Sequence, residues 1–265
     1  MQVVDQLKRD LRSLGIKEGD SLMMHCSYKS LGVDIPAEVF FDALMEVLGE
    51  EGTLILPAFS YGTVTYDNPF FDRKQTPSCV GFLPEYFRTK VPDVLRSLHA
   101  THSCTVKGRL GSFFIKDHEL DLTPVGENSP IAKLPKVRGK ILLLGSPIDR
   151  NTALHGVEEK AKVPYIFDPN KTIHYVLNDG ERIIEQEALR HDFKKAHFYY
   201  EQKYGRIIDL LSEEECSFGK VLQADCYLMS AQAVWEKGVQ KIKEEPYYFV
   251  NKATYNCDFP LHGSF

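Results

Sequence analysis

His155 and Glu158 carry acid–base chemistry and stand three positions apart in ILLLGSPIDRNTALHGVE, residues 141–158. On a helix that spacing puts both side chains on one face. A histidine with a carboxylate in reach is suited to taking a proton from a nucleophile. The apolar run Ile141 to Leu144 is followed by Gly145 and a polar loop, which reads as a short buried strand and its exit. Thr152 is placed to cap the helix that follows. His155 then stands in the first turn of a helix at the C-terminal end of a buried strand, where open α/β sheets bind ligands. The plain alternative is that His155 caps or packs the helix start, and the local pattern alone does not separate the two.

The elements that must position these residues alternate along the chain. Val3, Leu7, Leu11 and Leu14 follow helical spacing and Gly15 ends that helix. Residues 21–25 read as a strand, 36–48 as a helix opened by Pro36, and 53–56 as a strand. The segment 58–77 is rich in Tyr, Phe, Asn, Asp and Pro and reads as a long excursion. Residues 80–89 read as a helix, and 103–106 and 140–144 as strands. The helix carrying His155 spans 152–162. Residues 171–177 and 182–187 flank Asn178-Asp179-Gly180, a hairpin-type turn. Residues 192–204 read as helical, 221–228 as a strand and 230–244 as a final amphipathic helix. Strands alternating with helices predict a three-layer α/β/α sandwich, and the hairpin predicts a mixed sheet. No break divides the chain, so residues 1–265 are expected to form a single domain.

Composition removes several functions. The 265 residues are 43% hydrophobic and 26% charged, as in ordinary globular proteins. A net charge of −5 gives no general attraction to nucleic acid or to an anionic membrane. No apolar run is long enough to span a bilayer. The opening MQVVDQLKRDLRSLG lacks the apolar core of a signal peptide, so a cytoplasmic location is expected. Six scattered cysteines without a CxxC pair, Cys26, Cys79, Cys104, Cys216, Cys226 and Cys257, fit free thiols. GxxxxGK[ST], GxGxxG and GxSxG are absent, which argues against P-loop, dinucleotide-dependent and common hydrolase chemistry.

Three more segments carry donors. His25-Cys26-Ser27-Tyr28-Lys29-Ser30-Leu31-Gly32 follows the first strand and can offer amides, hydroxyls and a lysine to a phosphate. RSLHATHS, residues 96–103, leads into a later strand. GENSPIAKL, residues 126–134, opens a short helix. In order, HCSYKSLG, GTLILPAF, RSLHATHS, GENSPIAKL and LLLGSPIDRNTALHGVEE resemble the motifs of the aminoglycoside 3-N-acetyltransferase family, from about Leu14 to Tyr165. Cys26 stands where the family pattern has serine, and Ala100 where it has proline.

The resemblance implies that family's own type of α/β sandwich and transfer of acetyl from acetyl-CoA to an amine. It implies His155 as general base; on the physical reading Glu158 is the first-choice carboxylate to hold its tautomer, with Asp149 or an acidic residue of the later helix such as Glu201 as substitutes. It implies that His25, Cys26, Ser27, Lys29 and Ser30 meet the pantetheine and pyrophosphate of CoA. Arg96, Ser97, His99, Thr101, His102 and Ser103 would line the same channel. Thr152 or an amide near Ser27 would face the oxyanion, and Cys26 need not be a nucleophile. Tyr61 suits stacking on a sugar, and Asp67, Asp72 and Glu127 an acidic rim for a polycation. The part after about residue 165 is expected to face the amine, and Asp149 and Glu201 are also candidates for substrate contact.

The expected partner is a small-molecule amine, with a homodimer one assembly open to the chain. The acceptor is an aminoglycoside, with antibiotic resistance as the outcome, or else an amino sugar destined for the cell surface. A non-enzymatic reading is a CoA-binding module without turnover. A zinc site built from His25, Cys26, His99, His102 and Cys104 is disfavoured, because H-x-x-H-x-C is not a standard ligand spacing, and no metal is expected.

Overall fold

The computed structural model describes residues 2–255; Cys257 lies outside them. Helix α1 (Gln2–Leu14) leads to strand β1 (Ser21–Cys26), helix α2 (Ala37–Leu48) and strand β2 (Thr53–Pro57). Strand β3 (Phe70–Asp72), helix α3 (Phe82–Lys90), strands β4 (Leu95–Arg96) and β5 (Cys104–Gly108), and helices α4 (Gly111–Ile115) and α5 (Pro130–Lys133) follow. Strand β6 (Lys140–Leu144) and helix α6 (Ala153–Ala161) come next. The chain then forms strands β7 (Ile173–Asn178), β8 (Ile183–Ala188), β9 (Phe198–Gln202), β10 (Cys216–Val221) and β11 (Ala224–Ser230), helix α7 (Ala231–Glu244) and strand β12 (Val250–Thr254).

Side-chain alternation along the strands builds the layers. Leu22, Met24, Leu54, Leu56, Leu142 and Leu144 point to one face, where α1, α2 and α3 pack. Met23, Ile55, Ile141 and Leu143 point to the other, against α4, α5, α6 and α7. Both faces of the strands are therefore apolar, and the result is the expected three-layer α/β/α sandwich.

The main sheet has seven strands in the order β10-β11-β6-β1-β2-β5-β4. Its mixed character has a different source from the one the sequence suggested. β1 runs parallel to β2 and β6, while β5 is antiparallel to β2 and β11 to β6. The Asn178 hairpin instead pairs β7 with β8 in a separate three-stranded sheet, with β3 parallel to β7. The excursion 58–77 thus contributes a strand to that sheet. The stretch 192–204 is not helical: β9 pairs antiparallel with β12. Aromatic residues at 198–200 favour a strand that can pack them against neighbours. The reading of 221–228 merged two strands, because β10 and β11 form a hairpin from Cys216 to Ser230.

The layout sets the site. β1 and β6 are adjacent and parallel, and their connections leave to opposite sides of the sheet, so their C-terminal ends form the switch point at which open α/β sheets place a ligand crevice. The two exit loops interlock there. Gly145 has φ 61, and a Cβ on it would run into the Ser30 hydroxyl. Glycine is required on both counts. No helix among the described residues is long and apolar enough to cross a membrane.

Candidate active site

Helix α6 starts at the crevice, and its cap comes from a residue other than the expected one. Asn151, fully buried, accepts from the Ala153 amide at 3.2 Å, while the Thr152 side chain makes no capping bond. The Thr152 hydroxyl is left facing His25 Nε2 at 3.5 Å. One turn into α6, His155 and Glu158 share a face as the spacing requires. Glu158 is 0% exposed and its carboxylate is 3.6 Å from His155 Nδ1, too long for a direct hydrogen bond.

Tyr204 closes that gap. Its hydroxyl lies 2.8 Å from His155 Nδ1 and donates to Glu158 Oε2 at 2.7 Å. A phenol has one proton to give. With that proton committed to Glu158, its oxygen accepts from Nδ1–H of His155. The lone pair of His155 is then on Nε2. Tyr165 donates to the other carboxylate oxygen at 2.8 Å. Burial and the nearby Glu158 push both tyrosine hydroxyls well above their ordinary range, so both keep their protons. Sequence reasoning missed both tyrosines. Asp149, expected as a substitute carboxylate or a substrate contact, accepts from the Gly205 amide at 2.8 Å and pins the turn that carries Tyr204. Glu201, the other candidate, is exposed on β9 and pairs with Lys203 at 2.8 Å. Asp67 lies exposed in the loop before β3. Asp72 accepts from the amides of Lys74 and Gln75 and from Asn178, so it shapes a turn rather than a rim.

Around His155 the fold gathers other histidines. His102, His155 and His191 each bring a ring nitrogen within 4.8 Å of the others. His191 was not foreseen; its Nε2 lies 2.6 Å from Glu159 Oε1. Tyr61 is half-buried with its ring 6.0 Å from that of His102, so it stands beside the cluster. The zinc set suggested by sequence is not assembled. Among the described residues this trio is the one group of three or more ligand-type side chains close enough to share an ion, and it includes only His102 of that set.

The stretch 96–103 is held in the interior. Arg96 is buried and donates to Ser103 Oγ at 3.0 Å and to the carbonyls of Arg73, Thr76 and Ala58 at 3.1, 2.6 and 2.9 Å. Ser97 Oγ accepts from the Cys104 amide, and Ser103 Oγ donates to the Ala58 carbonyl. His99 Nδ1 accepts from the amides of Thr101 and His102, and Thr101 Oγ1 lies 2.9 Å from His102 Nδ1. Arg96, Ser97, His99, Thr101 and Ser103 are therefore interior clamps. Apart from His99 Nε2, which is buried without a partner, their polar atoms are used in holding the loop that presents His102.

The loop after β1 stays open to solvent in part. Lys29 is exposed, and Ser27 and Ser30 are half-buried. The Ser27 amide donates to Leu144 and the Ser30 hydroxyl to the Ser27 carbonyl, at 2.9 and 2.5 Å. Burial, with Cys226 nearby, pushes the Cys26 thiol far up, so it is no ready nucleophile.

Five enclosed histidines make stability depend on pH. Burial lowers His25 and His99 from 6.5 to about 4, and His102, His118 and His191 well below 6.5. The unfolded chain binds more protons in that range, so stability is full above 6.5 and falls as pH drops. Glu159, raised by burial to about 7, and Asp121, also raised by burial, act in the opposite sense, two groups against five. The expected loss exceeds about 1.4 kcal/mol per pH unit between pH 6.5 and 5, equivalent to one net proton. Urea midpoints across that range check it, and a flat profile contradicts it.

The sequence model of the family described as aminoglycoside 3-N-acetyltransferase matches residues 23–243. An aminoglycoside N(3)-acetyltransferase III of Pseudomonas aeruginosa is 29% identical, covering 92% of this chain and 93% of its own. The SPbeta prophage-derived aminoglycoside N(3')-acetyltransferase-like protein YokD of Bacillus subtilis is 29% identical, over 84% of this chain and 86% of its own. Among solved structures, AAC-IIIb in binary complex with CoASH superposes with a TM-score of 0.78 at 26% identity, covering 91% of this chain and 96% of that one. A variant of AAC(3)-IVa in complex with gentamicin gives 0.76 at 26% identity, over 92% and 90%.

Proposed function

The chain belongs to the aminoglycoside 3-N-acetyltransferase family, and from that premise we propose that it moves acetyl from acetyl-CoA to a primary amine of an aminoglycoside or related amino sugar, with His155 as general base. The observation that carries the reading is the chain of bonds from His155 through Tyr204 to Glu158. It leaves the lone pair of His155 on Nε2, in the first turn of α6 at the C-terminal end of β6.

A sugar amine is mostly an ammonium at neutral pH and has no lone pair with which to attack. His155 Nε2 takes the proton, the freed nitrogen bonds to the thioester carbonyl carbon, and a tetrahedral oxyanion forms. The C–S bond then breaks, the imidazolium returns its proton to the departing thiolate, and the second proton of the acetylated nitrogen leaves through the freed His155 Nε2 to water. Glu158, reached through Tyr204, stabilises the transient imidazolium in the way a triad carboxylate does. The Thr152 hydroxyl is the donor placed for the oxyanion, since the Ser27 amide is engaged by Leu144. Ser27 and exposed Lys29, with His25 behind them, meet the pantetheine and pyrophosphate of the donor. A relative bound to CoASH and another bound to gentamicin support the two substrate classes. The chain works as one acetyltransferase unit, and the part after about residue 165, which supplies Tyr204, faces the amine beside Tyr61.

An acetylation screen tests this. Purified protein is given acetyl-CoA and a panel of aminoglycosides and nucleotide-linked amino sugars, and thiol release is followed. Release with an aminoglycoside supports the first acceptor, and release only with nucleotide-linked sugars moves the acceptor to the cell-surface class. CoA binding without release from any amine leaves a binding module and overturns the enzymatic reading.

A further inference from the structure

We propose that His102, His155 and His191 also form an inhibitory zinc site. They come from three separate parts of the chain, the loop before β5, the first turn of α6 and the segment between β8 and β9, yet one nitrogen of each lies within 4.8 Å of the others. The rings do not stack in parallel. His102 stands at 82° to His155 and 75° to His191, and His155 at 42° to His191.

The second nitrogen of every ring is held by an oxygen. His102 Nδ1 lies 2.9 Å from Thr101 Oγ1, His155 Nδ1 2.8 Å from the Tyr204 hydroxyl, and His191 Nε2 2.6 Å from Glu159 Oε1. That leaves Nε2 of His102, Nε2 of His155 and Nδ1 of His191 for a shared ligand. Metal-bound histidines show this pattern, the non-ligating nitrogen being fixed by a carboxylate or another oxygen. The Glu159–His191 pair is the carboxylate–histidine form of it.

Three imidazoles without a direct carboxylate or thiolate suit a borderline-soft divalent ion such as zinc, with a fourth position left open. Zinc–nitrogen bonds of about 2.1 Å set the ligand nitrogens roughly 3.4 Å apart in a tetrahedron. The nitrogens, within 4.8 Å of one another, would have to draw together by up to about 1.4 Å to reach it. An ion there occupies the Nε2 lone pair that the proposed reaction uses. The inhibition therefore rests on the function proposed above, whereas the binding does not.

Cobalt(II) and then zinc(II) are titrated into the full chain under reducing conditions. The expected result is one equivalent of tetrahedral cobalt with visible d–d bands, no thiolate charge-transfer band, and displacement by zinc. His191→Gln is expected to weaken binding tenfold or more, and Glu159→Gln by about tenfold as a positioning change. Glu159→Gln keeps the shape of the side chain and is read independently if His191→Gln fails to fold. Cys79→Ala, at an exposed thiol, leaves the spectrum unchanged. No stoichiometric binding, a thiolate band, or full affinity in both the His191 and Glu159 variants overturns the site. Zinc should also stop acetyl transfer reversibly. Tight nitrogen-only binding without inhibition keeps the site and counts against His155 as base.

Discussion

Replacing His155 with alanine is expected to lower turnover by roughly 10²–10⁴-fold, the usual worth of a general base. Acetyl-CoA affinity should stay within about twofold, because a lost proton acceptor acts on the chemical step and not on donor binding. The substitution is clean for a structural reason. His155 accepts no proton from Tyr204, whose hydroxyl stays bonded to Glu158 at 2.7 Å. Removing the imidazole therefore leaves no buried charge unpaired, and its side chain is already 12% exposed, so water can fill the space. The chain should fold normally, as circular dichroism would show. Without the base, the amine must lose its proton to water. Near-normal turnover in this variant would sink the assignment of His155.

Tyr204→Phe should have the next largest effect and separates the relay from the base. The change deletes one oxygen and with it two hydrogen bonds. Nδ1 of His155 loses its acceptor, and Glu158 Oε2 loses a donor. His155 keeps its ring, so some catalysis survives. A fall in kcat of about 10–100-fold is expected, the range for a group that orients an active imidazole. Tyr165 still serves Glu158, which limits the folding cost to about 1–3 kcal/mol for one unsatisfied buried oxygen. Acetyl-CoA KM should hardly move, because the hydroxyl is engaged by His155 and Glu158 and is not free for the donor. Stopped-assay kinetics with urea unfolding of the same sample give both numbers. A variant that loses stability but turns over like the parent would reduce Tyr204 to a packing residue.

Much of the fold was legible because its signals are local. Runs such as Ser21 to Cys26 and Lys140 to Leu144 are apolar on both faces, which only a sheet covered on both sides requires. Gly15, Pro36 and Gly49 punctuate the helices where expected. What failed was partner choice. The Asn178 turn announces a hairpin, but period-two patterning does not say which sheet a hairpin joins, and this one builds a separate sheet. The stretch 192–204 carries no strong period of either kind, so its pairing with β12 prevailed over local preference. The segment 96–103 misled for a related reason. Its polar residues look alike in sequence, yet burial commits Arg96, Ser97, His99 and Ser103 to hydrogen bonds within the interior and leaves His102 facing the histidine cluster.

The sequence by itself determined the strand, loop and helix that hold His155 at the end of β6, and the face it shares with Glu158. Those relations span a few residues and follow from helical and strand repeats. Only the tertiary structure decided what surrounds them. Tyr204 reaches His155 from 49 positions away. Tyr165, His102 and His191 arrive from other elements, placed by packing across the sheet and by the Asp149 bond to Gly205. Hydrogen bonds between distant residues leave no period in a sequence, because the fold that brings them together is set by the apolar core and not by the polar groups themselves.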